Sequence, residues 1–158
     1  NGQHICVHRL GNDIDYDFCP MLDRSVTGNF WLNEHHWIAP RKGWWDGLKV
    51  GAAAPPVKTE EGWIMLYHGF SEDKVYRVGA LLLDLKNPVK ILSRTCFPIF
   101  EPEAEYEKEG QVPNVVFPCG NVIIGDTLYV YYGGGDSVVG VATVEVRDLL
   151  KVLKLCKP

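Results

Sequence analysis

The chain has 158 residues, 46% hydrophobic and 11% aromatic, with five Trp and seven Tyr, enough for one domain whose core needs neither disulfides nor metal. A formal charge of −4 with no Lys/Arg run offers no cationic surface to a nucleic-acid backbone, so no nucleic-acid partner is expected. No apolar run approaches the roughly 18 residues that cross a bilayer, and no basic-then-apolar leader opens the chain, so no membrane partner is expected and the protein reads as cytoplasmic.

In chain order, Ile5-Cys6-Val7-His8-Arg9 reads as a first strand, answered by Phe30-Trp31-Leu32. Between them, residues 11–28 carry no regular pattern. Asp13-Ile14-Asp15-Tyr16-Asp17 alternates acids but lacks the Gly and later Glu of an EF-hand loop, so calcium is not expected. His35 and His36 are adjacent, which points them apart on a strand, and no metal site is expected. Residues 38–56 again lack pattern.

Trp63-Ile64-Met65-Leu66-Tyr67-His68-Gly69 then alternates as a strand, and Tyr76 through Leu85 forms its hairpin partner. Residues 100–113 hold Glu101, Glu103, Glu105, Glu107 and Glu109 and read as a solvated acidic loop. A second unit follows. Leu128-Tyr129-Val130-Tyr131-Tyr132-Gly133 turns through Gly134, Gly135 and Asp136 into Val138 to Val146. Helix is expected only over Arg147 to Leu153. Gly133-Gly134-Gly135 precedes neither a helix nor a Lys, so it is a hairpin turn and not a phosphate loop. The five cysteines, Cys6, Cys19, Cys96, Cys119 and Cys156, are scattered without C-x-x-C spacing and read as buried thiols.

The two units align, Tyr67-His68-Gly69 on Tyr131-Tyr132-Gly133 and Val78-Gly79 on Val139-Gly140, with a weaker copy at the first strand. Their spacing of about 60 residues matches one four-stranded sheet with its loops, the period of propeller blades. Generic antiparallel hairpins that happen to look alike give the same pattern. Either way the fold class is all-β.

In a propeller the first strand of each blade lines the axis, so polar residues at first-strand ends converge. Arg9, Lys49 and His68 would then form a cationic cluster able to hold a dianion such as phosphate. Each also reads as an unrelated surface or loop residue, and Asp136 reads equally as a turn-closing residue.

Gly43-Trp44-Trp45, Lys49-Val50-Gly51, Pro55-Pro56, Lys58-Thr59-Glu60-Glu61-Gly62-Trp63 and Tyr67-His68-Gly69 resemble, in order and content, the signature stretch of glycoside hydrolase family 130. Tyr76 to Leu85, Val112 to Gly120 and Asp126 to Thr143 continue the likeness. The resemblance implies a five-bladed β-propeller, of which this single-domain chain, 1–158, supplies roughly three blades as the C-terminal half. It implies inverting phosphorolysis of β-mannosides (β-1,4-mannooligosaccharide or mannosyl-glucose) to α-mannose 1-phosphate. Inorganic phosphate is then a co-substrate and no cofactor is needed. By the same resemblance Arg9, Lys49 and His68 match phosphate-binding residues, and Asp136 and Phe117 match residues of the mannose site.

The family's catalytic acid has no match here and is expected upstream of Asn1. The chain is therefore read as part of a longer enzyme, or as a short homologue that pairs with a missing half or with itself. A β-mannoside hydrolase of the same family and a non-catalytic carbohydrate-binding propeller are the alternatives.

Overall fold

The computed structural model describes residues 4–9, 11–19 and 35–156. They build three antiparallel sheets in sequence order, closed by a C-terminal helix.

The first sheet joins β1 (His4–His8), β2 (Ile14–Cys19) and β3 (His35–Ile38) in that order. Here the sequence reading is corrected. The partner of β1 is β2, which lies within the segment read as patternless, with His8 opposite Asp15 and Val7 opposite Tyr16. Phe30-Trp31-Leu32 lies outside the described residues. The strand was hidden because β2 turns carboxylates inward: Asp15 and Asp17 are buried beside Ile14. Histidines offset that burial, with His8 Nε2 3.0 Å from Asp17 Oδ2 and His36 Nδ1 2.9 Å from Asp15 Oδ1.

The second sheet runs β4 (Lys49–Ala52), β6 (Trp63–Phe70), β7 (Tyr76–Leu83) and β8 (Ile91–Arg94), with the short β5 (Val57–Lys58) also paired to β6. A further strand thus stands within the second patternless stretch, since β4 is too short and too rich in Gly and Ala to show alternation. The hairpin of β6 and β7 matches expectation. Both strands are buried on both faces, as an inner sheet between two others requires.

The third sheet is β9 (Val116–Ile124), β10 (Thr127–Gly134) and β11 (Val138–Glu145), ordered β11-β10-β9. Before it lies α1 (Glu105–Lys108), and after it α2 (Val146–Leu155), a turn longer than the sequence implied. Glu107 is not solvated as expected. It is buried, and its carboxylate accepts the backbone N–H groups of Glu103 and Ala104 at 2.7 and 2.9 Å and the Tyr132 hydroxyl at 2.6 Å.

Two cores separate the sheets. Val50, Met65, Tyr67, Leu81 and Leu83 pack against Ile14 and Ile38 between the first and second sheets. Ile64, Leu66, Val78 and Ala80 pack against Leu128, Val130, Tyr132 and the buried leucines of α2 between the second and third. The register fixes the repeat. Tyr67 faces Gly79 and Tyr132 faces Gly140 across their hairpins. A Cβ on either glycine would meet the tyrosine ring, at 2.5 and 2.7 Å. Tyr67 is thus equivalent to Tyr132, one residue from the alignment made on sequence, because the glycine beneath the ring and not the Tyr131-Tyr132 pair sets the match.

A disulfide joins Cys96 to Cys156, Cα atoms 5.7 Å apart, and ties the end of α2 to the strand β8 side. This corrects the reading of those two as thiols. Ser93 Oγ reinforces the tie by donating to the carbonyl oxygens of Leu153 and Cys156.

Candidate functional site

Residues on or beside the first strands of all three sheets, β1, β4 and β9, line one pocket of about 320 Å³. Its walls include Arg9 at the end of β1, Lys49 and Gly51 of β4, His68 and Tyr76 of the second hairpin, and Phe117 of β9. Four of the five site residues expected from sequence, Arg9, Lys49, His68 and Phe117, therefore share one cavity. The fifth does not. Asp136 stands exposed in the β10–β11 turn at φ +50° and not on the pocket wall.

Local geometry explains why these positions are occupied as they are. In β4 and β6, Gly51 and His68 are directly opposed, and a Cβ on Gly51 would lie 2.4 Å from Cε1 and Nε2 of the imidazole. Only glycine lets that ring lie flat over the strand. From the other side Phe117 holds it, with ring centroids 4.4 Å apart, and Tyr76 stands at 5.9 Å. His68 is 4% exposed, and its Nδ1 is buried without a hydrogen-bond partner among the described residues. A buried polar atom left so calls for a partner such as a water or an ion.

The electrostatics agree. Burial first, and then the charges of Arg9 and Lys49, push the His68 imidazole down from 6.5 to about 4. Burial and the Arg9 guanidinium also push the Lys49 ammonium down. The charges of Arg9 and Lys49 thus make a site of positive potential beside a neutral imidazole, and a bound anion relieves it.

Sequence reasoning missed Gly51, Tyr76 and His8 as walls. Gly51 and Tyr76 stand within the stretches that carry the family resemblance, and His8 directly precedes Arg9, but none of the three had a chemical signal of its own. It also missed the group that holds the loop entering β4. Asp46, fully buried, accepts from Arg41 Nη2 at 2.8 Å, Arg94 Nη2 at 2.7 Å and the Tyr67 hydroxyl at 2.9 Å. Desolvation raises Tyr67 to about 12, keeping the hydroxyl a donor. No group of three or more His, Cys, Asp or Glu side chains able to hold a metal occurs among the described residues.

The family model for glycoside hydrolase family 130, described as beta-1,4-mannooligosaccharide phosphorylase, matches residues 4–155. The chain is 44% identical over 149 residues to the 1,2-beta-oligomannan phosphorylase of Thermoanaerobacter sp. (strain X514), covering 94% of this chain and 48% of that protein. It is 32% identical to the Beta-1,4-mannooligosaccharide phosphorylase of Ruminococcus albus, covering 98% of this chain and 48% of that one. Among solved structures, the Beta-1,2-Mannobiose phosphorylase from Listeria innocua in complex with beta-1,2-mannobiose superposes with a TM-score of 0.88 at 40% identity, over 98% of this chain and 44% of that one. The chain spans about half the length of the curated relatives it matches. With a family match over nearly its whole length, the chain belongs to glycoside hydrolase family 130.

Proposed function

We propose that the protein carrying this chain cleaves β-mannosides with inorganic phosphate, inverting the anomeric centre to give α-mannose 1-phosphate. The observation that carries the reading is the convergence of Arg9, Lys49 and His68 on one pocket. A phosphate dianion seated there relieves the repulsion between Arg9 and Lys49, and its oxygen is aimed by them and by the neutral imidazole. That oxygen attacks the anomeric carbon as the glycosidic C–O bond breaks. The bonding pair stays on the leaving oxygen, which takes a proton from a carboxylic acid opposite. Phosphate needs no general base, and the described pocket walls, rich in basic side chains, contain no Asp or Glu that would activate water. Phe117 borders the mannose, and Asp136 reaches its hydroxyls from the β10–β11 turn.

The acid is supplied outside these residues. We infer a five-bladed propeller in which this chain is the C-terminal half, a single partial domain of roughly three blades, in a cytoplasmic protein that needs no cofactor. The relatives named for β-1,2-linked substrates are 39 to 44% identical and the one named for β-1,4-mannooligosaccharide 32%. This favours a β-1,2 linkage over the β-1,4 linkage expected from sequence.

Incubating the whole protein with β-1,2- and β-1,4-mannobiose, with and without phosphate, tests both points. Phosphate-dependent α-mannose 1-phosphate is expected, faster from the β-1,2 isomer. Free mannose released at one rate in both conditions would instead identify a hydrolase.

A further inference from the structure

A second groove, of about 660 Å³, is lined by Trp44, Trp45, Leu48, Ser71, Glu72 and Asp73 among others. The anion pocket does not use it. Both its edges lead there directly, because Leu48 precedes Lys49 and the Ser71 to Asp73 turn leads into Tyr76. Lys49 is five residues from Trp44, so the two sites are within about 18 Å of each other along the chain.

Trp44 is 47% exposed, an unusual state for the largest apolar side chain. It is not loose. The Arg41 guanidinium covers it at 4.6 Å from the ring centroid, and Arg41 is itself fixed by Asp46 and by donating to the Thr95 carbonyl at 3.0 Å. Behind it Trp45 stacks on Tyr67 at 5.6 Å and donates to the Cys96 carbonyl at 3.2 Å. The loop turns on Gly43 at φ +81°. An exposed indole is thus held rigid by a buried ionic cluster that has no part in the anion pocket. Across the groove stand exposed Glu72 and Asp73, the latter fixed by the Ser71 hydroxyl at 2.7 Å and by Arg77 at 2.7 Å.

We propose that this groove is a carbohydrate subsite that takes the distal units of a mannooligosaccharide whose reacting end lies in the anion pocket. A flat apolar ring for the C–H face of a pyranose, carboxylates for its hydroxyls and a preset loop are what a neutral, polyhydroxylated chain requires. The proposal rests on the mannoside reading of the adjoining pocket and deepens it: the protein prefers longer chains, and Trp44 sets the preference.

The test uses the whole protein and β-mannosides of two to five units. Trp44→Ala should lower the ratio of kcat/KM for the tetraose to that for the biose by about three- to tenfold. Trp44→Phe should restore most of it. A loss of the same factor at every chain length, or no change in the ratio, overturns the proposal. In parallel, mannotetraose binding is followed without phosphate by tryptophan fluorescence, with Trp44→Phe as the reference. A saturable change that requires Trp44 supports the groove even if no mannoside is turned over, which separates its failure from that of the phosphorylase reading. No Trp44-dependent change overturns it.

Discussion

His68 is where the chemistry of the pocket is most exposed to test. Its buried imidazole resists protonation until about pH 4, whereas in the unfolded chain it titrates near 6.5. Between those values the unfolded state takes up a proton that the folded state refuses, so stability falls as pH drops from 6.5 toward 4. The loss amounts to about 3 kcal/mol across that window. A bound phosphate opposes it, because the anion cancels the field of Arg9 and Lys49. Melting temperatures of the whole protein from pH 7 to 4.5 should therefore fall more steeply for the wild type than for His68→Gln, and phosphate should flatten the wild-type curve. Parallel curves for both proteins would show that this imidazole is not held neutral by the pocket.

At the scale of elements, each of the second and third sheets carries a tyrosine lying over a glycine of the next strand, with its hydroxyl on a buried carboxylate: Tyr67 on Asp46, Tyr132 on Glu107. Asp46 comes from the loop before β4 and Glu107 from α1, so the device fastens the connections between strands to the sheets. Asp46 is the more loaded of the two, as it accepts from two arginines besides the tyrosine. Asp46→Asn leaves those cations without their counter-charge, and Arg94 is 8% exposed. We expect a loss of about 3 kcal/mol in urea unfolding; a change within about 0.5 kcal/mol would mean that water already shares the cluster.

None of this fastening was legible in the sequence, because Arg94 stands 48 residues from Asp46 and nothing local links them. The hairpins of β6–β7 and β10–β11 were legible from period-two aromatic and β-branched runs. Strand β2 was not, because its inward face is acidic, and β4 was not, because it needs Gly51 where a pattern would need bulk. Arg9, Lys49, His68 and Phe117 could be nominated by resemblance. That they face one cavity, and that Asp136 does not line it, required the register of three sheets.

For the whole molecule, the decisive feature is a face that nothing in these residues covers. Tyr67 packs toward the first sheet and its equivalent Tyr132 toward the second, so the second and third sheets stand in the same relation to the sheet before them. Applied once more, it calls for a sheet against the far side of the third. That far side is apolar: Tyr131 pairs with Val141, Tyr129 with Val122, and Val141 and Ile124 are 54% and 59% exposed. The corresponding side of the second sheet, through Leu66 and Ile64, is fully buried. An apolar sheet face of this extent is a contact surface, and the free edge of β11 beside it is a pairing site. In the whole protein the next sheet of the proposed propeller covers it, so Val141→Asp buries a carboxylate there and should cost about 2 kcal/mol or more. In the 158-residue chain alone the same substitution meets water and should leave stability unchanged while reducing self-association in light scattering. A whole protein whose melting temperature ignores Val141→Asp, together with a 158-residue chain that is a clean monomer, would mean that this face meets solvent and that the ring does not close there.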